Sequence, residues 1–168
     1  DALHILRDIR SVSTGTISLA YKLDDIAHPL DGFGVVIPRS AGRPINAITW
    51  SSTKFDHRAP AGYGLLRLFF GGSRSPEAMA LDDDALLVMA RAQLAELMGI
   101  TAQPMLHRIY RAHEATPQYD VGHLSRMDAL TGSLPDGLYL AGSAYRGIGV
   151  PDCVAQGDEA ARAALGRE

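Results

Sequence analysis

The sequence has little of several things that specialised proteins depend on. Among its 168 residues is a single cysteine, Cys153, so neither a disulfide framework nor a Cys-x-x-Cys metal or redox site can be built. No apolar run approaches the roughly 18 residues of a membrane span, and the first residues lack the pattern of a signal peptide. We therefore expect neither a secreted nor a membrane-spanning protein.

An excess of charge of one sign is also lacking. Sixteen basic residues stand against nineteen acidic ones, and the basic residues are scattered along the chain instead of forming a stripe. This distribution argues against nucleic acid as a partner. With 46% hydrophobic and 21% charged residues, the composition is that of a globular domain long enough to bury a core.

The chain begins at Asp1 without a methionine and runs directly into an amphipathic segment. We therefore expect a domain cut from a longer polypeptide. The apolar residues of 2–9 recur at helical spacing, which predicts an opening helix with Asp1 at its start. From residue 16 to residue 23 the period changes to two, which predicts a half-buried strand.

Further strands are predicted by apolar runs between turn residues. Residues 33–37 and 45–51 form a predicted hairpin, residues 64–70 add a third strand, and residues 105–111 form another that ends at Pro117. The best predicted helix has the negative charges of Asp82, Asp83 and Asp84 at its start and Gly99 as its C-cap, and a shorter helix is predicted over 125–130. Strands outnumber helices, so the fold class is α+β, with a mostly antiparallel mixed sheet packed with helices.

The last part of the chain has a different character. Leu138 to Ala141 is a short apolar run that predicts a buried strand, Gly142 follows it, and Pro151 marks the first turn of a closing helix. A helix start lined by glycines suits an electron-rich ligand atom or an anion, although glycines after a strand are as often simple turn formers. We place a domain boundary here, with residues 1–132 and 133–168 as its two parts.

Three segments, in order along the chain, resemble the protoporphyrinogen oxidase family of the flavin amine oxidase superfamily. They are Trp50-Ser-Ser-Thr-Lys-Phe-Asp-His-Arg-Ala-Pro60, Pro117-Gln-Tyr-Asp-Val-Gly-His123 and Gly137-Leu-Tyr-Leu-Ala-Gly-Ser-Ala-Tyr-Arg-Gly-Ile-Gly-Val-Pro-Asp-Cys153. The resemblance covers the chain as the C-terminal part of such an enzyme. The dinucleotide fingerprint G-x-G-x-x-G is absent, so most of an FAD site would be supplied by residues upstream.

The resemblance implies a flavin contact in the glycine-rich segment. Backbone atoms of Ile148, Gly149 and Val150 would lie against the isoalloxazine ring, and Gly142 would allow close approach. The helix behind them would favour negative charge on the reduced ring.

The resemblance also implies contacts with a porphyrinogen substrate. Phe55 would pack on a pyrrole ring, and Val36 and Ala20 would line the same pocket, although plain core positions remain the alternative for Phe55 and Val36. Family members often carry an aromatic residue where this chain has Ala112. Without that ring the flavin edge would be less covered, which would affect cofactor affinity or substrate choice.

The histidines and several arginines are also candidate site residues, and none is assigned a role in metal or substrate binding. The histidines at 107, 113 and 123 share no metal-ligand spacing, so no metal site is predicted, and His123 is expected to bond backbone and fix a turn. The arginines at 39, 43, 58 and 146 could attract propionate groups, but surface arginines are commonly solvated, and none is assigned to the substrate. No catalytic acid or base is assigned either.

The implied protein is the C-terminal part of an FAD-dependent protoporphyrinogen oxidase, with dioxygen or another molecule as electron acceptor. A relative that oxidises coproporphyrinogen, and a non-catalytic ligand-binding domain on the same scaffold, remain as alternatives. The implied location is the cytoplasm, with peripheral membrane association of the full-length enzyme as an option. The isolated 168 residues are expected to be inactive and to bind FAD weakly or not at all.

Overall fold

The computed structural model of the chain describes residues 2–166, so the predicted role of Asp1 lies outside the described residues. The chain divides into two compact units. One consists of Val12–Thr116, and the other combines Asp1–Ser11 with Pro117–Glu168. Residues 117–132 thus belong to the same unit as the glycine-rich segment, and the boundary at residues 132 and 133 stays a prediction about a larger protein.

The described residues contain five α-helices and five β-strands. The helices are α1 (Ala2–Arg7), α2 (Ser51–Lys54), α3 (Asp83–Met98), α4 (His123–Gly132) and α5 (Val150–Ala164), and the strands are β1 (Ser11–Lys22), β2 (Gly34–Val36), β3 (Ile45–Trp50), β4 (Tyr63–Gly71) and β5 (Leu106–Pro117).

The strands form one open antiparallel sheet in the order β2-β3-β4-β1-β5. The predicted hairpin is confirmed by the β2–β3 pairing, in which Val36 lies opposite Ala47. Strand β4 pairs with β3 and then with β1, where Leu65 lies opposite Ala20. The sheet and the accompanying helices confirm the α+β class, and the five strands predicted within residues 16–111 are present.

The core of the Val12–Thr116 unit lies on one face of this sheet. Alternate residues of β1, including Ile17, Leu19 and Tyr21, are almost fully buried, and they belong to one apolar cluster with residues of α3 such as Leu86 and Leu94. The intervening residues of β1 are only half-buried. A period of two in the sequence therefore produces one packed face and one open face.

Local signals set the bounds of helix α3 as predicted. The Asp82 carboxylate accepts a hydrogen bond of 2.8 Å from the Ala85 amide, which caps the helix start. Gly99 takes the left-handed conformation at the other end, with φ 65. Helix α4 begins at His123, two residues before the predicted start, and Pro151 lies in the first turn of α5 as expected.

One prediction about the C-terminal part was wrong. Residues 138–141 form no strand in the described chain, and Leu138 and Tyr139 are 51% and 43% exposed. A short apolar run is compatible with several local structures, because periodicity alone does not identify its neighbours. The glycine-rich turn is therefore preceded by an irregular segment. Within residues 2–166, no helix has the length and apolar character needed to cross a membrane.

Candidate functional site

The glycine-rich turn of residues 142–149 leads into helix α5. Gly142 and Gly147 have φ values of 131 and 143, a region that residues with a Cβ atom rarely occupy. Gly149 has an ordinary φ of −68 and stands at the N-cap position of the helix. Two of the three glycines are thus required by the path of the backbone.

Asp152 joins the turn to the first turn of α5. Its carboxylate oxygen accepts a hydrogen bond of 3.2 Å from the Gly149 amide. A Cβ atom on Gly147 would lie 2.7 Å from the Asp152 side chain, so a glycine is needed there on steric grounds as well. The negative charge near the helix start is favourable for the helix dipole. This role of Asp152 was not predicted from the sequence.

Gln156 supports the other end of the turn. This side chain is 9% exposed, and its carbonyl oxygen accepts a hydrogen bond of 3.3 Å from the Gly142 amide. Its amide group donates to the Asp152 carbonyl at 3.2 Å. The only sequence signal for this role was a polar residue on a helix rich in alanine.

Tyr119 holds the glycine-rich turn from a distant segment. Its hydroxyl donates a hydrogen bond of 2.7 Å to the Ser143 carbonyl and accepts one of 2.8 Å from the Gly147 amide. One phenol oxygen therefore fixes the separation of two points on the turn. The sequence alone indicates the motif that contains Tyr119, but not this role of its hydroxyl.

His123 makes a second connection to the same turn. Its Nε2 lies 2.7 Å from the Tyr145 carbonyl oxygen, and because a carbonyl can only accept, Nε2 is the donor. This confirms the expectation that His123 bonds backbone. The side chain is 4% exposed, and its Nδ1 atom has no hydrogen-bond partner among the described residues.

Ion pairs surround these contacts. Arg10 donates to Asp120, next to Tyr119, at 2.8 Å, and Arg146 of the turn donates to Asp128 of α4 at 2.7 Å. The hydrogen bond from Arg10 holds the pKa of the Asp120 carboxyl below its usual value, and the same bond raises the pKa of Arg10. Both pairs are exposed, so each contributes little free energy by itself.

The predicted flavin contacts lie at the exposed end of this turn. Ile148 and Val150 are 60% and 77% exposed, and they stand on either side of the half-buried Gly149. Nothing in the described chain lies within 4 Å of a Cβ atom built on Gly142. The arrangement offers backbone and apolar side chains to a flat ring. The flavin contacts of these four residues stay a prediction.

The predicted substrate residues belong to the other compact unit. The register aligns Val36 with Ala47, Phe69 and Thr16, so Val36 and Ala20 share the open face of the sheet. Ala20 lies four residues beyond Thr16, or roughly 13 Å further along the strand direction. The structure thus puts the two residues on one face without bringing them together.

The alternative of a plain core position does not hold for two of these residues. Val36 is 84% exposed on the edge strand, and Phe55, which follows α2, is 48% exposed. Cations lie beside the Phe55 ring, with Lys54 Nζ at 5.3 Å and Arg58 Cζ at 5.5 Å from the ring centroid. Both side chains are therefore available for contacts outside the core, while their substrate role stays a prediction.

A cavity of about 490 Å³ lies near the C-terminal end of β1, at Ala20. It is lined by residues from β1, β4, the turn before β4 and the segment leading into β5, and these are Ala20, Arg58, Ala59, Pro60, Tyr63, Gly64, Leu65, Met105 and Leu106. Val36 and Phe55 do not line it.

Two other sequence predictions concern Ala112 and metal binding. Ala112 is half-buried in β5. Within residues 2–166, no cluster of acidic, histidine or cysteine side chains has the size of a metal site.

Comparisons with known proteins agree with these features. The family model described as "Flavin containing amine oxidoreductase" matches residues 2–165. The chain is 33% identical to the coproporphyrinogen III oxidase of Bacillus subtilis, covering 98% of this chain and 36% of the relative. It is 30% identical to protoporphyrinogen oxidase 2 of Arabidopsis thaliana, covering 95% of this chain and 32% of that enzyme.

Solved structures show the same relationship. A crystal structure from Exiguobacterium sp. 255-15, provisionally described as a protoporphyrinogen oxidase, superposes with a TM-score of 0.80 at 30% identity. The match covers 98% of this chain and 37% of that one. A putrescine oxidase structure shares the fold alone, with a TM-score of 0.66 at 15% identity. The chain thus spans about a third of the length of the curated relatives it matches.

Proposed function

This chain belongs to the family of flavin containing amine oxidoreductases, and we propose that it is the C-terminal part of an FAD-dependent porphyrinogen oxidase. One observation carries the cofactor assignment. The Tyr119 hydroxyl joins two points of the glycine-rich turn, so two of the family-like motifs form one local structure. A turn fixed in this way is suited to hold one wall of a flavin site.

The residues of the turn fit such a wall. The exposed Ile148 and Val150 side chains and the half-buried Gly149 backbone would lie against the isoalloxazine ring, and Gly142 leaves room beside it. The start of α5 brings partial positive charge to the same place, which favours electron density on a bound ring. Asp152 offsets part of this charge.

The substrate side requires shape more than acid or base chemistry. A porphyrinogen is a flat, apolar macrocycle with acidic edges. The open sheet face carries polar side chains together with the apolar side chains of Ala20, Leu65 and Phe69, on which such a ring could lie. The chemistry that bound FAD supplies is the acceptance of hydrogen from the macrocycle, for transfer to dioxygen or another acceptor. The role of this chain is then to orient the substrate and to exclude water.

Two porphyrinogens are candidates for the substrate. Protoporphyrinogen IX follows from the motif resemblance, whereas coproporphyrinogen is supported by the names of several bacterial relatives, including the Bacillus subtilis enzyme. The two molecules differ in the number of their peripheral carboxylates. Recognition of those carboxylates would therefore decide between them.

Two other functions compete with this proposal. A non-catalytic ligand-binding domain on the same scaffold is the alternative that Ala112 keeps open, because an aromatic residue is common at that position in relatives. An amine oxidase would share the fold, as the putrescine oxidase structure does at 15% identity.

The proposal also includes a location. We place the full-length enzyme in the cytoplasm, with peripheral membrane attachment as an option.

The direct test uses the full-length protein that contains this chain. We expect it to purify with a flavin absorption spectrum and to convert at least one of the two porphyrinogens to its fluorescent porphyrin. A flavoprotein that oxidises amines but neither porphyrinogen would contradict the substrate class, and a protein that binds no flavin would contradict the enzyme assignment. The isolated chain, as the control, should bind FAD weakly or not at all.

The sequence upstream of Asp1 provides an independent check. A strand followed by G-x-G-x-x-G would supply the backbone amides that hold the pyrophosphate of a dinucleotide. An upstream sequence without that pattern would count against the proposal. This observation requires no protein.

A further inference from the structure

Arg58 lies at a junction of two predicted substrate contacts. Its guanidinium carbon is 5.5 Å from the centroid of the Phe55 ring. The same residue lines the cavity of about 490 Å³ that Ala20 also lines. Arg58 therefore lies beside both the aromatic ring and the cavity, although Phe55 itself does not line the cavity.

The Arg58 guanidinium has no carboxylate partner among the described residues. Other arginines form ion pairs, such as Arg43 with Glu96 at 2.6 Å and Arg111 with Asp83 at 2.6 Å. Arg58 forms no ion pair with any carboxylate of residues 2–166. An exposed guanidinium at the edge of an apolar cavity is available for an anionic group of a ligand.

The backbone beside Arg58 is unusual as well. His57 has φ 61, in the left-handed region that a residue with a side chain adopts at a free-energy cost. This conformation lies between Phe55 and Arg58 in the chain. Residues 56 and 57 form a turn, and the Arg58 guanidinium lies beside the Phe55 ring.

Apart from Tyr63, the side chains of the remaining cavity wall are apolar. The wall contains the side chains of Ala59, Pro60, Leu65, Met105 and Leu106. An apolar wall with one cation at its edge fits a ligand that is itself apolar and carries an anion at its edge. A carboxylated macrocycle has that composition, and a guanidinium recognises a carboxylate with paired hydrogen bonds.

We propose that Arg58 binds a peripheral carboxylate of the porphyrinogen and helps to determine which porphyrinogen is accepted. This inference rests on the proposed function and adds a residue to it. In this arrangement Arg58 recognises the acidic edge of the macrocycle, and Phe55 lies beside the bound carboxylate. The cavity that Arg58 and Ala20 line receives the neighbouring part of the ring. A substrate with more carboxylates offers more chances for this contact.

The test measures binding separately from turnover. The full-length protein with FAD bound is titrated with coproporphyrin and with its methyl ester, and quenching of porphyrin fluorescence gives the dissociation constants. We expect Arg58→Gln to weaken coproporphyrin binding roughly three- to fivefold, the size expected for a partly exposed ion pair, and to leave ester binding unchanged. Added salt should reduce the difference between the two proteins.

Two further variants make the result specific. Arg39→Gln removes an exposed arginine from a different turn and should leave both dissociation constants unchanged. Arg58→Lys keeps the charge and should restore part of the lost affinity. A matched thermal unfolding curve for Arg58→Gln shows that the variant is folded.

Each outcome decides the inference. Selective loss of coproporphyrin binding in Arg58→Gln supports it. Equal effects on acid and ester, no effect at all, or no binding of coproporphyrin by the unmodified protein would overturn it. Failure of the proposed function is distinguished by the oxidation assay, because a protein that binds coproporphyrin through Arg58 but oxidises no porphyrinogen contradicts only the enzymatic role.

Discussion

The rings of Tyr119 and His123 are stacked, with centroids 3.8 Å apart and an angle of 11° between their planes. The polar edges of both rings reach the backbone of the glycine-rich turn, at Ser143, Tyr145 and Gly147. Because the rings support each other, the turn is held at three points by one rigid pair. A bound flavin would then meet a wall whose position is set in advance.

Removing the Tyr119 hydroxyl tests this pair. Tyr119→Phe leaves the Gly147 amide and the Ser143 carbonyl without their partner, so we expect the free energy of unfolding to fall by about 1–3 kcal/mol. Chemical denaturation of the purified chain measures it. Tyr139→Phe is the matched control, because its exposed hydroxyl donates only to Ala163, at 3.2 Å. Equal losses in the two variants would show that the turn is not held through Tyr119.

Glycine substitutions on either side of the start of α5 should have opposite signs. Gly147→Ala combines a φ of 143 with a contact of 2.7 Å to Asp152, and we expect a loss of about 1–3 kcal/mol of stability. Gly157→Ala lies inside α5 with open space around it and should stabilise by about 0.5–1 kcal/mol. Thermal unfolding of both variants provides the comparison, and a tolerated alanine at 147 would contradict the strain assigned there.

The burial of Tyr21 should make the folded protein less stable in alkali. The side chain is 1% exposed, and burial raises its pKa to about 12 from an ordinary value of 10. The folded protein then keeps a proton that the unfolded chain releases, so stability is unaffected below pH 10 and falls as the pH rises from 10 to about 12. Tyr21→Phe should flatten this part of the curve of unfolding free energy against pH. An unchanged slope would contradict the assignment to Tyr21.

The ion pair of Asp120 with Arg10 should make a small contribution to stability that is lost in acid. Its pKa is lowered by the hydrogen bond from Arg10, so the pair stabilises the fold above the ordinary aspartate pKa of about 3.9 and this contribution disappears as the pH falls through the lowered pKa. Asp120→Asn should therefore be less stable than the unmodified chain at neutral pH, and the two should converge in acid. Denaturation curves at several pH values test this, and high salt should shrink the difference.

Much of the fold could be predicted because its signals are local. The segment 39–44 separates two apolar strands that do pair, Asp82 and Gly99 lie at the two ends of α3, and Pro151 marks the first turn of α5. Each of these signals acts through neighbouring residues, so no knowledge of the chain path is needed. The fold class followed from them.

The exposure of the candidate substrate residues could not be predicted in the same way. Val36 has the alternating pattern of a core strand, but β2 is the edge of the sheet and its side chain lies on the open face. Residues 138–141 were misassigned for a related reason, since an apolar run does not say what will pack against it. Burial depends on neighbours that are distant in the sequence.

By itself, the sequence determined the strands, the main helices and the motifs that relate this chain to flavin enzymes. Only the tertiary structure decided that the backbone held by Tyr119 and His123 is the glycine-rich turn, and that Arg58 lies beside both Phe55 and a cavity. The hydrogen bonds of Tyr119 connect residues 24 and 28 positions apart, and such contacts exist only once the chain has folded back on itself. Residue types can suggest these partners, but the distances between them are set by packing.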